Sequence, residues 1–171
     1  GPLLATGMFE TCTVESIPDV LWFYATGADL PTRTGQLRPP NQGAYMGTAW
    51  LDADGDGRLD LWVTMTSENP LLLAPGFMTE ASARYGLQSF PGVGGQSIEQ
   101  WAIAQLDLDL DGRGDLLVTQ LRADVNDLSM RPHPRLLWRG PSGPFRDVST
   151  AAGLDEPVPC DALQAADLDG D

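Results

Sequence analysis

The sequence predicts an all-β protein built from repeated units of four short antiparallel strands. Two stretches, residues 49–64 and residues 104–119, superpose without a gap at an offset of 55, which indicates an internal repeat. The chain of 171 residues contains 19 Gly and 14 Pro, which favours many tight turns over long helices. No segment keeps a helical periodicity for more than two turns, whereas β-branched and aromatic residues occur in short runs.

The repeated stretch combines two apolar runs with an acidic loop between them. It reads AWLDADGDGRLDLWVT at residues 49–64 and AQLDLDLDGRGDLLVT at residues 104–119. A shorter copy, AADLDGD, occupies residues 165–171 at an offset of 60 from the second copy. Each complete copy therefore predicts a strand, an Asp-rich loop and a second strand.

A second pair of similar segments supplies the other two strands of each unit. Residues 71–87, LLLAPGFMTEASARYGL, resemble residues 136–154, LLWRGPSGPFRDVSTAAGL, and Phe77 corresponds to Phe145. Each segment predicts a short apolar strand, a Gly/Pro turn, a Phe-led strand and a Gly-Leu ending. One unit is therefore about 55 to 60 residues long.

Four-stranded units in series are typical of β-propeller blades, each of which packs its face on the next blade. Since propellers use about four to eight blades, we expect further blades from a longer chain or from self-assembly. In the second unit, the expected strands are residues 101–106, 116–121, 135–139 and 145–148, with a polar excursion at 122–134. The expected divisions of this single propeller segment are 1–43 (the end of a preceding blade, with a strand at 21–24), 44–100 (with the first acidic loop), 101–160 (with the second) and 161–171 (a truncated third unit).

The charge of the chain excludes two classes of partner. It has 24 acidic and 10 basic residues and a formal net charge of −14, which repels nucleic acid and anionic membrane surfaces. No apolar run approaches the roughly 20 residues that span a bilayer. We therefore expect no nucleic-acid partner and no membrane insertion. Eleven of the acidic residues lie in the three repeated loops, so the acidity is concentrated there.

The spacing of these acidic residues predicts cages of oxygen ligands. Carboxylates at positions 1, 3, 5 and 9 repel one another unless a divalent cation lies between them, and the residue at position 7 offers its backbone carbonyl. Oxygen ligands at this spacing favour calcium over zinc, copper or magnesium. The predicted ligands are Asp52, Asp54, Asp56, Arg58 and Asp60 in the first loop, and Asp107, Asp109, Asp111, Arg113 and Asp115 in the second.

Gly57 and Gly112 both occupy position 6, where a sharp turn requires backbone freedom. An EF-hand would need a Glu at position 12, but Val63 and Val118 stand there, so we reject an EF-hand. The third loop offers Asp167, Asp169 and Asp171 and lacks positions 7 and 9. An Asx-rich turn without an ion stays the alternative, above all for this third loop.

The loop pattern D-x-D-G-D-G-x-x-D-L, with F-x-D-V-x-x-x-A-G-L at residues 145–154, resembles FG-GAP/VCBS repeat proteins, to which integrin α-subunit propellers are distantly related. The resemblance covers the chain from about Gly43 onward, and the chain has no clear FG-GAP tetrapeptide. It implies a β-propeller with calcium in the loop that links the first two strands of a blade. In that family the ions stiffen the blades for adhesion, ligand binding or assembly.

These observations lead to a functional expectation. Extracellular modules with such ligands bind calcium with dissociation constants of roughly 10⁻⁴ to 10⁻³ M. This predicts an extracellular or secreted protein, and the cell surface and the periplasm are included in that expectation. We expect a calcium-binding module for a protein or carbohydrate ligand, for adhesion or for assembly. The alternative is a non-catalytic accessory propeller of a secreted hydrolase or lyase. The sequence offers no catalytic constellation, since the sole histidine, His133, lies in a proline-stiffened loop without a nucleophile motif.

Three further signals have competing interpretations. Residues 113–115 spell the adhesion tripeptide RGD, but Asp115 is also the position-9 ligand and is expected to face the ion. The five tryptophans fit an inter-blade core better than a sugar-binding surface. Cys12 and Cys160 are either bridged or two free thiols.

Overall fold

The computed structural model describes residues 3–5, 21–25, 32–37, 45–65, 68–75, 79–88, 90, 98–122, 132–158, 160 and 162–165. These residues are mostly β, with three antiparallel sheets and one single-turn helix. Within the described ranges, no helix has the length and apolar character needed to cross a membrane. The all-β prediction is confirmed at this level.

The first sheet has three strands in the order β1-β2-β3. The strands are β1 (Leu3–Ala5), β2 (Leu21–Ala25) and β3 (Thr32–Leu37). The strand expected at residues 21–24 is β2, and it pairs with both neighbours in antiparallel register.

The second sheet is a four-stranded meander in the order β4-β5-β6-β7. Its strands are β4 (Tyr45–Leu51), β5 (Asp60–Met65), β6 (Leu71–Leu73) and β7 (Thr79–Glu80). The helix α1 (Ser82–Tyr85) follows β7 directly. All six residues of β5 are buried, so this strand is covered on both faces.

The third sheet repeats this meander in the order β8-β9-β10-β11. Its strands are β8 (Ile98–Leu106), β9 (Asp115–Arg122), β10 (Arg135–Trp138) and β11 (Arg146–Asp147). The four predicted strands are all present, but β8 begins at Ile98 rather than at residue 101. The polar Gln100 concealed this extension in the sequence, and its buried side chain is satisfied by Asn69 Nδ2 (2.8 Å) and by the carbonyl of Ile98 (2.8 Å).

The Gly-Leu endings of both units form the same turn. The backbone N–H of Leu87 donates to the carbonyl of Ser82 (2.9 Å), and that of Leu154 donates to the carbonyl of Ser149 (2.8 Å). Each bond joins the N–H of residue i+5 to the carbonyl of residue i and closes a turn after the last strand of its sheet. The structure therefore repeats along the chain beyond the acidic loops.

The two four-stranded sheets share one hydrophobic core, but they contribute different faces to it. The second sheet contributes Trp62 and Leu71, which pair across β5 and β6, and the third contributes Leu116 and Leu137, which pair across β9 and β10. Thr64 adds a hydrogen bond from its hydroxyl to the carbonyl of Trp101 (2.9 Å) between the sheets.

The repeat identifies which face of the second sheet packs against which face of the third. At the offset of 55, Trp62 corresponds to Leu117, and Leu117 lies opposite Leu136 on the face of the third sheet that turns away from the shared core. Both leucines are half-buried. Successive sheets therefore stack with opposite faces in contact, and the outer face of the third sheet is less covered than the inner one.

Candidate metal centres

Each acidic loop connects the first two strands of a four-stranded sheet. The first loop spans residues 52–59 between β4 and β5, and the second spans residues 107–114 between β8 and β9. Asp60 pairs with the last residue of β4, and Asp115 pairs with the last residue of β8. The position-9 carboxylate of each loop is therefore the first residue of the strand that follows.

Each loop brings three of its carboxylates together. The oxygens that belong to positions 1, 3 and 9 lie within 4.8 Å of one another in both loops. Such a concentration of negative charge is unfavourable by itself and fits a hard divalent cation. The two trios are Asp52, Asp54 and Asp60 in the first loop, and Asp107, Asp109 and Asp115 in the second.

The position-1 carboxylate organises the backbone of its loop. Asp52 Oδ1 accepts hydrogen bonds from the N–H groups of Gly55 (2.7 Å) and Asp56 (3.1 Å), and Oδ2 accepts one from Gly57 (2.9 Å). Asp107 accepts the bonds from positions 5 and 6 in the same way, at 3.0 and 2.8 Å. Gly57 has a φ of +83°, which a side chain would disfavour, as the spacing predicted.

The position-9 carboxylate of the first loop is buried and joins two parts of its sheet. Asp60 is 0% exposed, its Oδ2 accepts from Ala53 N–H (2.9 Å), and its Oδ1 accepts from Ala74 N–H (2.8 Å). Burial raises the pKa of Asp60, the negative charges of Asp54 and Asp56 add to this, and the two backbone bonds oppose it. A cation beside this carboxylate would favour its ionised form.

Asp115 has the same position in the second loop. It is 1% exposed, its Oδ2 accepts from Leu108 N–H (3.0 Å), and its Oδ1 accepts from Arg139 N–H (2.7 Å). The Asp of the RGD tripeptide is therefore enclosed within the loop and is not displayed for recognition by another protein.

The position-5 carboxylates have a different partner from the one expected. Asp56 Oδ1 accepts from Arg58 N–H (2.8 Å), and its Oδ2 pairs with the Arg58 guanidinium. Asp111 and Arg113 repeat both contacts in the second loop. Sequence reasoning considered only the backbone carbonyl at position 7 and missed its side chain. The signal available in the sequence was that an arginine follows the position-5 aspartate by two residues within a turn.

The position-3 carboxylates distinguish the two loops. Asp54 is exposed and accepts one bond from the N–H of Asp56 (3.1 Å). Asp109 instead accepts a hydrogen bond from the indole N–H of Trp138 on β10 (2.8 Å). This contact was not predictable from local spacing, because the two residues are separated by 29 positions.

Other predicted residues fall into two groups. Asp167, Asp169, Asp171 and Cys12 lie outside the described residues. Cys160 is half-buried and has a free thiol. Trp62 is fully buried, with its indole N–H donating to the carbonyl of Leu87 (3.0 Å), which agrees with the expected core role.

Comparisons of this chain with protein-family models, with curated proteins and with solved structures find no match.

Proposed function

We propose that this chain is a calcium-binding β-propeller segment of the FG-GAP/VCBS type that serves extracellular ligand binding or assembly. One observation carries the proposal. The same three-carboxylate trio recurs at the same strand connection in two successive sheets. Three carboxylates gathered this closely repel one another, and a divalent cation between them would offset that repulsion in both loops.

The donor chemistry supports calcium as the ion. Every predicted ligand is an oxygen, and the position-1 carboxylates already hold the loop amides in a compact turn. The aspartates at positions 1, 3 and 9 would hold the ion, with the position-5 carboxylate and the position-7 carbonyl as further ligands. Bound calcium supplies positive charge that offsets the repulsion and stiffens the link between strands.

The stacking of the sheets supports the propeller part of the proposal. Trp62 and Leu71 on one face of the second sheet meet Leu116 and Leu137 on the opposite face of the third. Contacts between unlike faces can continue with another copy of the unit, and they close into a ring when the rotation permits. Leu117 and Leu136 on the outer face are half-buried and would contact such a copy.

Calcium stoichiometry tests the metal part. The unaltered chain is first freed of calcium with a chelator, which is then removed, and is titrated with calcium by calorimetry. It should bind one ion at each of the two described loops, and residues 167–171 would add a third. Asp54→Ala and Asp109→Ala should each remove one ion. Asp147→Ala, which deletes an acidic residue outside the loops, should remove none. Full calcium content in both loop variants would contradict the assignment.

Native mass tests the propeller part. We expect the protein that contains these residues either to be longer or to assemble into a ring, because the described sheets alone fall short of about four blades. A stably folded monomer of 18.4 kDa would contradict it. Since calcium stoichiometry is measured separately, failure of the propeller proposal leaves the metal proposal intact.

A further inference from the structure

A cleft of about 600 Å³ lies between the two four-stranded sheets, at the end where the acidic loops are. Its wall is formed by the first loop, by α1, by one residue of the second loop and by the turn between β10 and β11. Three arginines line it: Arg84, Arg113 and Arg139.

This clustering of positive charge is unusual for a chain with a net charge of −14. Three of its ten basic residues line one cleft, and Asp54 is the single acidic residue among the described residues of the wall. The guanidinium of Arg139 donates to the carbonyls of Asp52 and Ala53 rather than to a carboxylate. The guanidinium of Arg84 lies over the ring of Tyr85, 5.2 Å from its centre, and within the described ranges it forms no ion pair.

The third arginine carries an unsatisfied donor. Arg113 pairs with Asp111 through its terminal nitrogen, but its Nε is buried and has no hydrogen-bond partner among the described residues. A buried N–H group that has lost its contact with water and has no acceptor destabilises the fold. Arg113 of the cleft wall therefore has one donor that the described residues do not satisfy.

The repeat shows that the backbone contact with the position-9 aspartate and the Gly-Leu turn do not require these charges. Arg139 and Ala74 are equivalent, since each donates its backbone N–H to a position-9 aspartate. Arg84 precedes its Gly-Leu turn at the same distance as Ala151 precedes the second one. Alanine therefore stands at both equivalent positions in the other unit, and both arginines occur in the unit positions that line this cleft.

We propose that the cleft binds a carboxylate-bearing ligand through Arg84 and Arg139. The planar guanidinium fork matches a carboxylate with two parallel hydrogen bonds, and the volume lies within the range of about 300 to 1,000 Å³ of small-ligand sites. A singly charged carboxylate is favoured over a dianion, because the net charge of −14 repels a double charge more strongly.

The proposal goes beyond calcium binding and does not depend on it, because neither Arg84 nor Arg139 is a proposed calcium ligand. The carboxylate can belong to a free acid or to an acidic side chain of a peptide. Both sources present the same group to the arginines, so the probes must separate them.

Calorimetric titration of the calcium-loaded chain tests the proposal. The probes are acetyl-aspartyl amide, its neutral counterpart acetyl-asparaginyl amide, a blocked hexapeptide with one central aspartate, and sulfate. We expect the aspartyl probe to bind and the asparaginyl probe not to bind. Tighter binding of the hexapeptide identifies a peptide as the source, and equal binding identifies a free acid.

Matched variants assign the binding to the cleft. Arg84→Gln should weaken binding of the aspartyl probe about tenfold, the loss expected for a charge-assisted hydrogen bond. Arg146→Gln is the control, because Arg146 is exposed, also lies over an aromatic ring (5.9 Å from the centre of Trp138) and does not line the cleft. In the unaltered chain, the aspartyl probe should shift the Arg84 Nε–H resonance.

Three results would overturn the proposal. They are the absence of aspartyl-probe binding at millimolar concentration, equal weakening by both arginine variants, and tighter binding of sulfate than of the carboxylates. Calcium stoichiometry of Arg84→Gln should be unchanged. If the probes do not bind to the cleft but the calcium stoichiometry is normal, the calcium proposal is therefore unaffected.

Discussion

The two acidic loops contain the same carboxylate trio but are supported by different neighbours. The first loop is supported from the adjacent sheet, because the Arg139 guanidinium binds its backbone carbonyls at Asp52 and Ala53. The second loop is supported from its own sheet, where Trp138 donates to Asp109. The ligands thus follow the repeat while their supports do not, so the two loops should respond differently to changes outside the cage.

The loops also differ in backbone strain at position 4. Gly55 has a φ of +80° in the first loop, and Leu110 has a φ of +57° in the second. Leu110 is 76% exposed, so no burial offsets the strain of a left-handed leucine. The second loop is therefore the less relaxed of the two.

The largest effect on stability should come from deleting the buried position-9 carboxylate, which both loops contain. Asp60→Ala removes a buried acceptor and leaves the N–H groups of Ala53 and Ala74 unpaired, which should cost about 3 kcal/mol of unfolding free energy in urea. Asp115→Ala should cost the same, because its two bonds are equivalent. Asp54→Ala, which removes an exposed carboxylate, is the control, and an equal loss in that variant would contradict this role for Asp60.

Removal of calcium should lower the melting temperature by several degrees. A site filled at tenfold its dissociation constant stabilises the folded chain by about 1.4 kcal/mol, and the two loops add. Asp54→Ala and Asp109→Ala should each retain only part of the chelator-induced shift in a thermal melt. A melting curve unchanged by chelator would show that no structurally important ion is bound.

A tryptophan substitution should separate the loops. Trp138→Phe removes the indole N–H that orients Asp109 and should weaken calcium binding at the second loop about tenfold. The first loop should keep its affinity. Two-site calorimetry measures both constants, and Trp101→Phe, a half-buried tryptophan on β8, controls for lost aromatic packing. An unchanged affinity at the second loop of Trp138→Phe, or the same loss at both loops, would contradict this role for Trp138.

The last strands of the two sheets give a pH-dependent contrast. Partial burial of the Asp147 carboxyl acts to raise its pKa, but hydrogen bonds from Ser149 and the charge of Arg135 outweigh it, so the pKa lies below the ordinary value of 3.8. The ionised carboxylate therefore stabilises the fold above pH 3.8, and this contribution is lost as the pH falls through the folded pKa.

Asp147→Asn should consequently cost about 1 kcal/mol at neutral pH and progressively less in acid, as measured by urea unfolding across pH. By strand pairing, Glu80 is the corresponding residue of the second sheet, since it lies opposite Leu72 as Asp147 lies opposite Leu137. Glu80 also accepts from a serine N–H, that of Ser82 (2.7 Å). It has no ion pair with an arginine among the described residues. Glu80→Gln should therefore cost less, and a larger loss there would reverse the comparison.

The smallest effect concerns position 4. Leu110→Gly relieves the left-handed strain but adds freedom to the unfolded chain, so we expect a net gain of at most about 0.5 kcal/mol. Gly55→Leu introduces the same strain into the first loop and should cost about 1 kcal/mol. Chemical denaturation of both variants would measure the difference, and a loss in Leu110→Gly would assign the leucine a stabilising contact.

Much of the local architecture was predictable because it depends on short-range patterns. Alternation of apolar runs with Gly and Pro marked the strands, and the β4–β5 and β8–β9 connections were found through their Asp spacing. The start of β8 was missed because Gln100 reads as a polar loop residue. Its burial depends on Asn69, which lies 31 positions away.

The sequence by itself determined the all-β class, the repeated strand-loop-strand unit and the spacing of the loop carboxylates, because all of these arise within a few residues. Only the tertiary structure decided what supports each loop. The Arg139 contact with Asp52 joins residues 87 positions apart, and the arginine-lined cleft exists only where two sheets meet. Local spacing cannot specify such contacts, since they depend on which faces pack together and at what register.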